Sequence, residues 1–303
     1  MKYISFTLAN GEQRAGWLDG DFAVDMHMAS GGILPKDMLT FIEHHESLAE
    51  KVKETAQSQI TQGRYPLNDV ELLSPLPRPV SVRDFYAFLE HVKTARAKRG
   101  LEVIPEWYEI PVFYFTNHLA IKGPNEQIEK PEQSEWLDYE LEIACIIGKQ
   151  GKNIRAEDAE SHIFGYCIMN DWSARDLQAK EMKVGLGPAK GKDFATSLGP
   201  VIVTKDELEI YKKDDRYDLA MTASVNGRQL SYGNFNQIHY TFAEMIERAS
   251  AGVTLYPGEV IGSGTVGTGC ILELGTDVHP WLKSGDSVEL SITGLGKLVN
   301  SIK

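Results

Sequence analysis

Asp138-Tyr139-Glu140-Leu141-Glu142-Ile143-Ala144-Cys145-Ile146-Ile147-Gly148 alternates acidic and apolar side chains, then runs apolar into a glycine. That pattern predicts a strand entering a core. On a strand Asp138, Glu140 and Glu142 would share one face, with same-face neighbours ~7 Å apart. Carboxylates so close repel one another and lose hydration unless a cation offsets them. A hard-metal site with oxygen ligands is one reading, suited to Mg²⁺, Mn²⁺ or Ca²⁺. An edge strand with a solvated acidic face is the other.

The surrounding chain sets bounds on both. Its 303 residues, 42% hydrophobic and 24% charged, describe a globular protein of one large domain or of a small one plus a large one. A net charge of −12 argues against nucleic acid and anionic membranes as partners. The three cysteines, Cys145, Cys167 and Cys270, lie in apolar runs without paired spacing and read as buried thiols. The N-terminus alternates like a strand rather than a signal peptide, and no apolar run is long enough to span a bilayer, so the expectation is a cytoplasmic protein.

Short strands are expected over 2–8, 12–18 and 22–26, with a helix near 46–60. The proline-spaced run Ser74-Pro75-Leu76-Pro77-Arg78-Pro79 places a boundary between a small domain, 1–74, and a larger one, 75–303. Beyond it Asp84 and His91 stand seven residues apart, which on a helix would turn both toward one cleft. The basic residues Lys93, Arg96, Lys98 and Arg99 follow, either as a solvated helix face or as an attractor of anionic substrate. Asp171 stands where a predicted strand gives way to a helix and would cap it; Arg175 and Gln178 follow at one-turn spacing. Gly262-Ser263-Gly264-Thr265-Val266-Gly267 matches the dinucleotide fingerprint formally, but residues 270–274 read as a strand where that motif needs a helix.

Taken together, Arg83-Asp84-Phe85-Tyr86 with His91, Asp138 to Glu142, Met169 to Gln178, Gly191-Lys192, Ser263-Gly264-Thr265 and Leu272-Glu273 resemble the fumarylacetoacetate hydrolase family in order and spacing. The resemblance implies an α+β, mostly β fold: a mixed-β roll or sandwich preceded by a small N-terminal domain, and a homodimer. It implies Asp84, Glu140, Glu142 and Asp171 as ligands of a divalent cation, Mg²⁺ or Mn²⁺ with Ca²⁺ as an option, and leaves Asp138 outside that set. It makes His91 a general base oriented by Glu273, and Arg175, Gln178 and Lys192 oxyanion or substrate groups. Tyr86, Thr265 and Arg99 become substrate contacts. The implied reaction is cleavage of a carbon–carbon bond in a small anionic 1,3-diketo acid, with metal-dependent decarboxylation of oxaloacetate type as the alternative. A tyrosine that binds substrate in the animal enzymes is Met182 here, so the mechanism can persist while the substrate differs.

Overall fold

The computed structural model describes residues 1–303. Its strands of three or more residues are β1 (Lys2–Thr7), β2 (Gln13–Asp19), β3 (Phe22–Asp25), β4 (Arg64–Pro66), β5 (Val82–Phe85), β6 (Phe113–Thr116), β7 (Leu141–Ile147), β8 (Ile163–Asp171), β9 (Thr196–Val203), β10 (Ala220–Val225), β11 (Arg228–Asn234), β12 (Val260–Gly262), β13 (Ser287–Ile292) and β14 (Gly296–Ile302). The helices that matter here are α1 (Met38–Gln57), α2 (Leu89–Ala97), α3 (Arg175–Val184), α4 (Phe242–Ser250) and the single turn α5 (Ile271–Leu274). The fold is α+β and mostly β, as expected.

Two sheets form the body. The larger has twelve strands, ten of them in the order β4-β3-β2-β1-β9-β8-β7-β12-β5-β6. The smaller has five, with β11-β10-β13-β14 followed by a short strand at 127–128. Residues 141–147 and 163–171 are buried along their whole length, because β7 and β8 lie at the centre of the large sheet and are covered on both faces. One apolar core joins this sheet to the smaller one, and a second lies where Met38, Phe41 and Ile42 of α1 pack on the other face. β1 pairs with β9, so the N-terminal strands continue the large sheet.

Several local expectations change. The helix expected near 46–60 begins at Met38, because Asp37 accepts the Thr40 N–H and caps it. Residues 271–274 form a helical turn rather than a strand. There the Asp138 carboxylate accepts the N–H groups of Ile271 and Leu272 at 2.8 and 3.0 Å, an arrangement suited to a helix start. Asp84 and His91 do not share a helix: Asp84 is on β5 and His91 on α2. Asp171 caps nothing, since α3 begins only at Arg175.

Candidate metal centre

Strand order brings the acids together. β7 neighbours both β8 and β12, and β12 runs parallel to β5 with Gly262 beside Asp84. Glu142 is the second residue of β7, Asp171 closes β8 and Asp84 nears the end of β5, so three carboxylates meet at the same end of the sheet's central strands. Glu140 reaches them from just before β7, its N–H held by the Asn170 side chain at 2.9 Å. All four are buried, and their ligand oxygens lie within 4.8 Å of one another. Glycine is needed at two points of the neighbouring loop. A Cβ on Gly262 would stand 2.6 Å from Asp84 Oδ1, and Gly264, at φ +75°, aims its N–H at Asp84 Oδ1 and Glu142 Oε2, 3.2 and 3.1 Å away. The glycines of the rejected nucleotide motif thus make room for carboxylates.

Two buried cations answer part of this charge. Lys192 Nζ donates to Glu140 Oε2 at 2.6 Å and to Asp171 Oδ2 at 2.5 Å. Arg175 lies 2.9 Å from Asp138 Oδ2 through Nε and 2.7 Å from Glu140 Oε1 through Nη2, and Nη1 donates to Gln178 Oε1 at 3.1 Å. Glu181 fixes the loop carrying Lys192 by accepting the N–H groups of Ala189, Lys190 and Gly191. Counting Asp138, five buried acids still face two cations, a formal excess of three negative charges.

Their proton affinities reflect the imbalance. Burial, followed by the Asp171 charge, pushes Asp84 well above the ordinary carboxylate range. Burial, then Asp84, does the same to Glu142. Burial raises Asp171 too, against the pull of Lys192. For Glu140 burial also acts upward, but Lys192 and Arg175 outweigh it and hold the group below its usual value. Asp171 Oδ1 is buried with no hydrogen-bond partner. An orphaned oxygen, an all-carboxylate donor set and uncompensated negative charge together fit a hard divalent cation.

One contributor escaped the sequence reading. Tyr114, opposite Asp84 in the β5–β6 register, donates its hydroxyl to Asp171 Oδ2 at 2.5 Å. Burial, then the Asp171 charge, pushes its phenol well up, so it remains a donor. Its only trace in the sequence is a tyrosine within Phe113-Tyr114-Phe115, which alternation alone reads as core packing.

Beside the carboxylates stands a second group. His91 Nδ1 lies 2.8 Å from Glu273 Oε2, with both residues buried. The contact is close but bent away from hydrogen-bond geometry. Glu273 also accepts the Thr268 N–H at 3.2 Å, and Cys270 Sγ lies 3.5 Å from Oε2. The Tyr86 ring meets His91 edge-on at 5.3 Å, and its carbonyl accepts from Trp107 Nε1. Thr265 Oγ1 lies 3.5 Å from Glu142. Arg99 is exposed at the end of α2, where its Nε donates to Ala95 O rather than to any residue of the cluster.

Comparison with known proteins follows the same residues. A family model described as fumarylacetoacetate (FAA) hydrolase C-terminal matches residues 81–303. A human protein named as a mitochondrial oxaloacetate tautomerase is 33% identical over 273 residues, covering 89% of this chain and 80% of its own. The oxaloacetate tautomerase YisK of Bacillus subtilis is 31% identical over 265 residues, covering 86% and 82%. A solved fumarylacetoacetate hydrolase from Exiguobacterium antarcticum superposes with a TM-score of 0.76 at 28% identity, covering 100% of this chain and 99% of that one. The sandwich expected from the sequence is the fold of these neighbours. The cytoplasmic location is not upheld, because the human relative and those from Xenopus laevis and Rattus norvegicus are named as mitochondrial.

Proposed function

The chain belongs to the fumarylacetoacetate hydrolase family, and from that premise we propose that it interconverts the keto and enol forms of a small 2-oxo dicarboxylic acid of the oxaloacetate type. A cation-binding enzyme of this family acting on small keto or diketo acids is the broad description; tautomerisation is the specific one, supported by the named activities of the human and Bacillus relatives. The observation carrying it is a buried imidazole, backed by a carboxylate, next to a four-carboxylate cation site.

Asp84, Glu140, Glu142 and Asp171 would hold Mg²⁺ or Mn²⁺, with Ca²⁺ also compatible with an all-oxygen set. A cation held there would supply Lewis-acid polarisation of a 2-oxo group. Glu273 beside Nδ1 favours the tautomer with its proton there, leaving Nε2 of His91 as the acceptor. His91 takes a proton from the carbon next to the carbonyl and returns it to the carbonyl oxygen, so one C–H bond breaks, one O–H bond forms and nothing else is consumed. Lys192 has three N–H donors, two committed to Glu140 and Asp171; the third is available to a substrate oxygen. Arg175 is held by Asp138 and Gln178 and lies 2.7 Å from Glu140, so its part is to position those groups and lower the negative field a dianionic substrate meets. Tyr86, edge-on to the His91 ring, and Thr265, 3.5 Å from Glu142, are the substrate contacts in this reading, with Gln178 bonded to Arg175, and exposed Arg99 would meet an anionic substrate from solvent. The family match beginning at residue 81 supports a boundary after residue 74.

Hydrolysis of a 1,3-diketo acid is the second reading, favoured by the same His91–Glu273 pair, which could equally deprotonate water. Decarboxylation of oxaloacetate needs no such base. Proton NMR of oxaloacetate in deuterated water with Mg²⁺ separates the three. Accelerated exchange at carbon 3 without pyruvate is the expected result. Pyruvate as the main product would favour decarboxylation, and cleavage of acylpyruvates without oxaloacetate exchange would favour hydrolysis.

A further inference from the structure

We propose that His91, Cys270 and Glu273 form a second cation site, for a borderline-soft divalent ion of the zinc class, whose occupation disables the His91 base. Their ligand atoms lie within 4.8 Å of one another and all three residues are buried. Cys270 directly precedes α5 and Glu273 lies within it, three residues on, so one helical turn sets thiol and carboxylate on the same side; α2, which carries His91, packs against that turn. The separations are 3.5 Å from Sγ to the Glu273 carboxylate and 2.8 Å from that carboxylate to His91 Nδ1. Ligands about 2.0–2.3 Å from one ion sit roughly 3–4 Å apart, so little movement is required.

The donor set separates this group from its neighbour. One nitrogen, one sulfur and one oxygen suit zinc or cadmium, with a fourth position open to water, whereas four carboxylates suit Mg²⁺ or Mn²⁺. Neither Cys145 nor Cys167 belongs to such a group. An ion held by His91 Nδ1 takes the place of the proton that Glu273 orients, and with it the basicity of Nε2. Binding is independent of the proposed tautomerase activity; the loss of activity rests on that reading.

The test starts from enzyme saturated with Mg²⁺. Cd²⁺ titration reads the ultraviolet thiolate-to-cadmium absorption, and Zn²⁺ titration reads carbon-3 exchange of oxaloacetate. The wild type should develop one cadmium thiolate per chain and lose exchange as zinc is added. Cys270→Ser and Cys270→Ala, each compared with its own zinc-free rate, should lose the absorption and weaken zinc inhibition at least ~10-fold, the loss typical of even an outer partner of a metal ligand. Absorption that persists in both variants, or is missing in the wild type, overturns the site. Cys270-dependent absorption with undiminished exchange overturns the disabling of His91. A wild type without exchange activity sinks the tautomerase reading, and the cadmium titration still decides the site.

Discussion

The two ionisable groups at the strand ends of the large sheet lie side by side and are built on opposite plans. Asp84, Glu140, Glu142 and Asp171 come from three strands and a loop, with more negative charge than Lys192 and Arg175 can offset. His91 and Glu273 come from two helices and set one imidazole nitrogen 2.8 Å from one carboxylate oxygen. The first arrangement carries an excess of negative charge that calls for a cation; the second pairs one base with one acid. Burial thus gathers like charges that call for a cation at one place, and an imidazole beside a carboxylate at the other.

The largest expected effect breaks the first group. Glu142→Ala removes a fully buried ligand at the centre of the four, and should weaken Mn²⁺ binding by more than ~100-fold, beyond the usual loss of an outer partner. Chelation with EDTA should abolish activity, and Mg²⁺ or Mn²⁺ should restore it. Calorimetry checks the first and the exchange assay the second; activity surviving exhaustive chelation would show the carboxylates to be structural.

Breaking the second group should leave the first intact. His91→Ala is expected to slow proton exchange by ~10²–10⁴-fold, the usual contribution of a positioned base. Cation affinity should hold, because His91 is no member of the four-carboxylate set. Glu273→Gln should show a milder loss, since the imidazole remains but its tautomer is no longer enforced. Equal loss of cation binding in His91→Ala would mean that the two groups are one.

A finer cut tests what completes the first group. Tyr114→Phe removes one hydroxyl and keeps the ring. Asp171 Oδ2 would then be held by Lys192 alone, so its orphaned Oδ1 is less firmly aimed. Mn²⁺ affinity should fall about 10-fold while the metal-free melting temperature barely moves. Unchanged affinity would show the hydroxyl to be a passenger.

The sequence disclosed these groups unevenly. Glu142 was legible because the acid–apolar alternation runs into the start of β7, and Asp171 because a hydrophobic run ends on it; the spacing puts Asp84 on a helix with His91, and only the resemblance places it among the ligands. Asp138 misled: same-face geometry assumes an unbroken strand, and the ladder breaks at Tyr139 and Glu140, turning Asp138 to Arg175 and α5. The helical turn at 271–274 was hidden because Ile-Leu-Glu-Leu is too short for a period to show, and Asp138, far away in sequence, supplies the caps. Tyr114 and Gly262 acquire meaning only from pairings between distant segments, β6 with β5 and β12 with β5. Such pairings leave no local mark.

The smallest expected effect concerns the folding stability of the metal-free protein, and it distinguishes the groups by sign. Asp84 and Glu142 are raised well above the ordinary carboxylate range by burial and by neighbouring acids, and Asp171 is raised as well. An unfolded chain releases these protons near pH 4. Below that value both states are protonated and their contribution is fully present. As pH climbs toward the raised native values, the unfolded chain binds fewer protons than the native one, and stability is lost. Glu140 has the opposite sign, held down by Lys192 and Arg175 against burial, so its contribution is lost only in acid. A divalent cation keeps the raised carboxylates charged without penalty and should cancel the downward slope. Melting curves in EDTA should therefore fall from about pH 5 toward neutrality, while curves with saturating Mn²⁺ should not, and the gap between them should widen with pH. Glu142→Gln, neutral at every pH, should flatten the EDTA curve. A metal-free protein that gains stability between pH 5 and 7 would mean that the buried acids are already balanced, and the contrast between the two groups would fail.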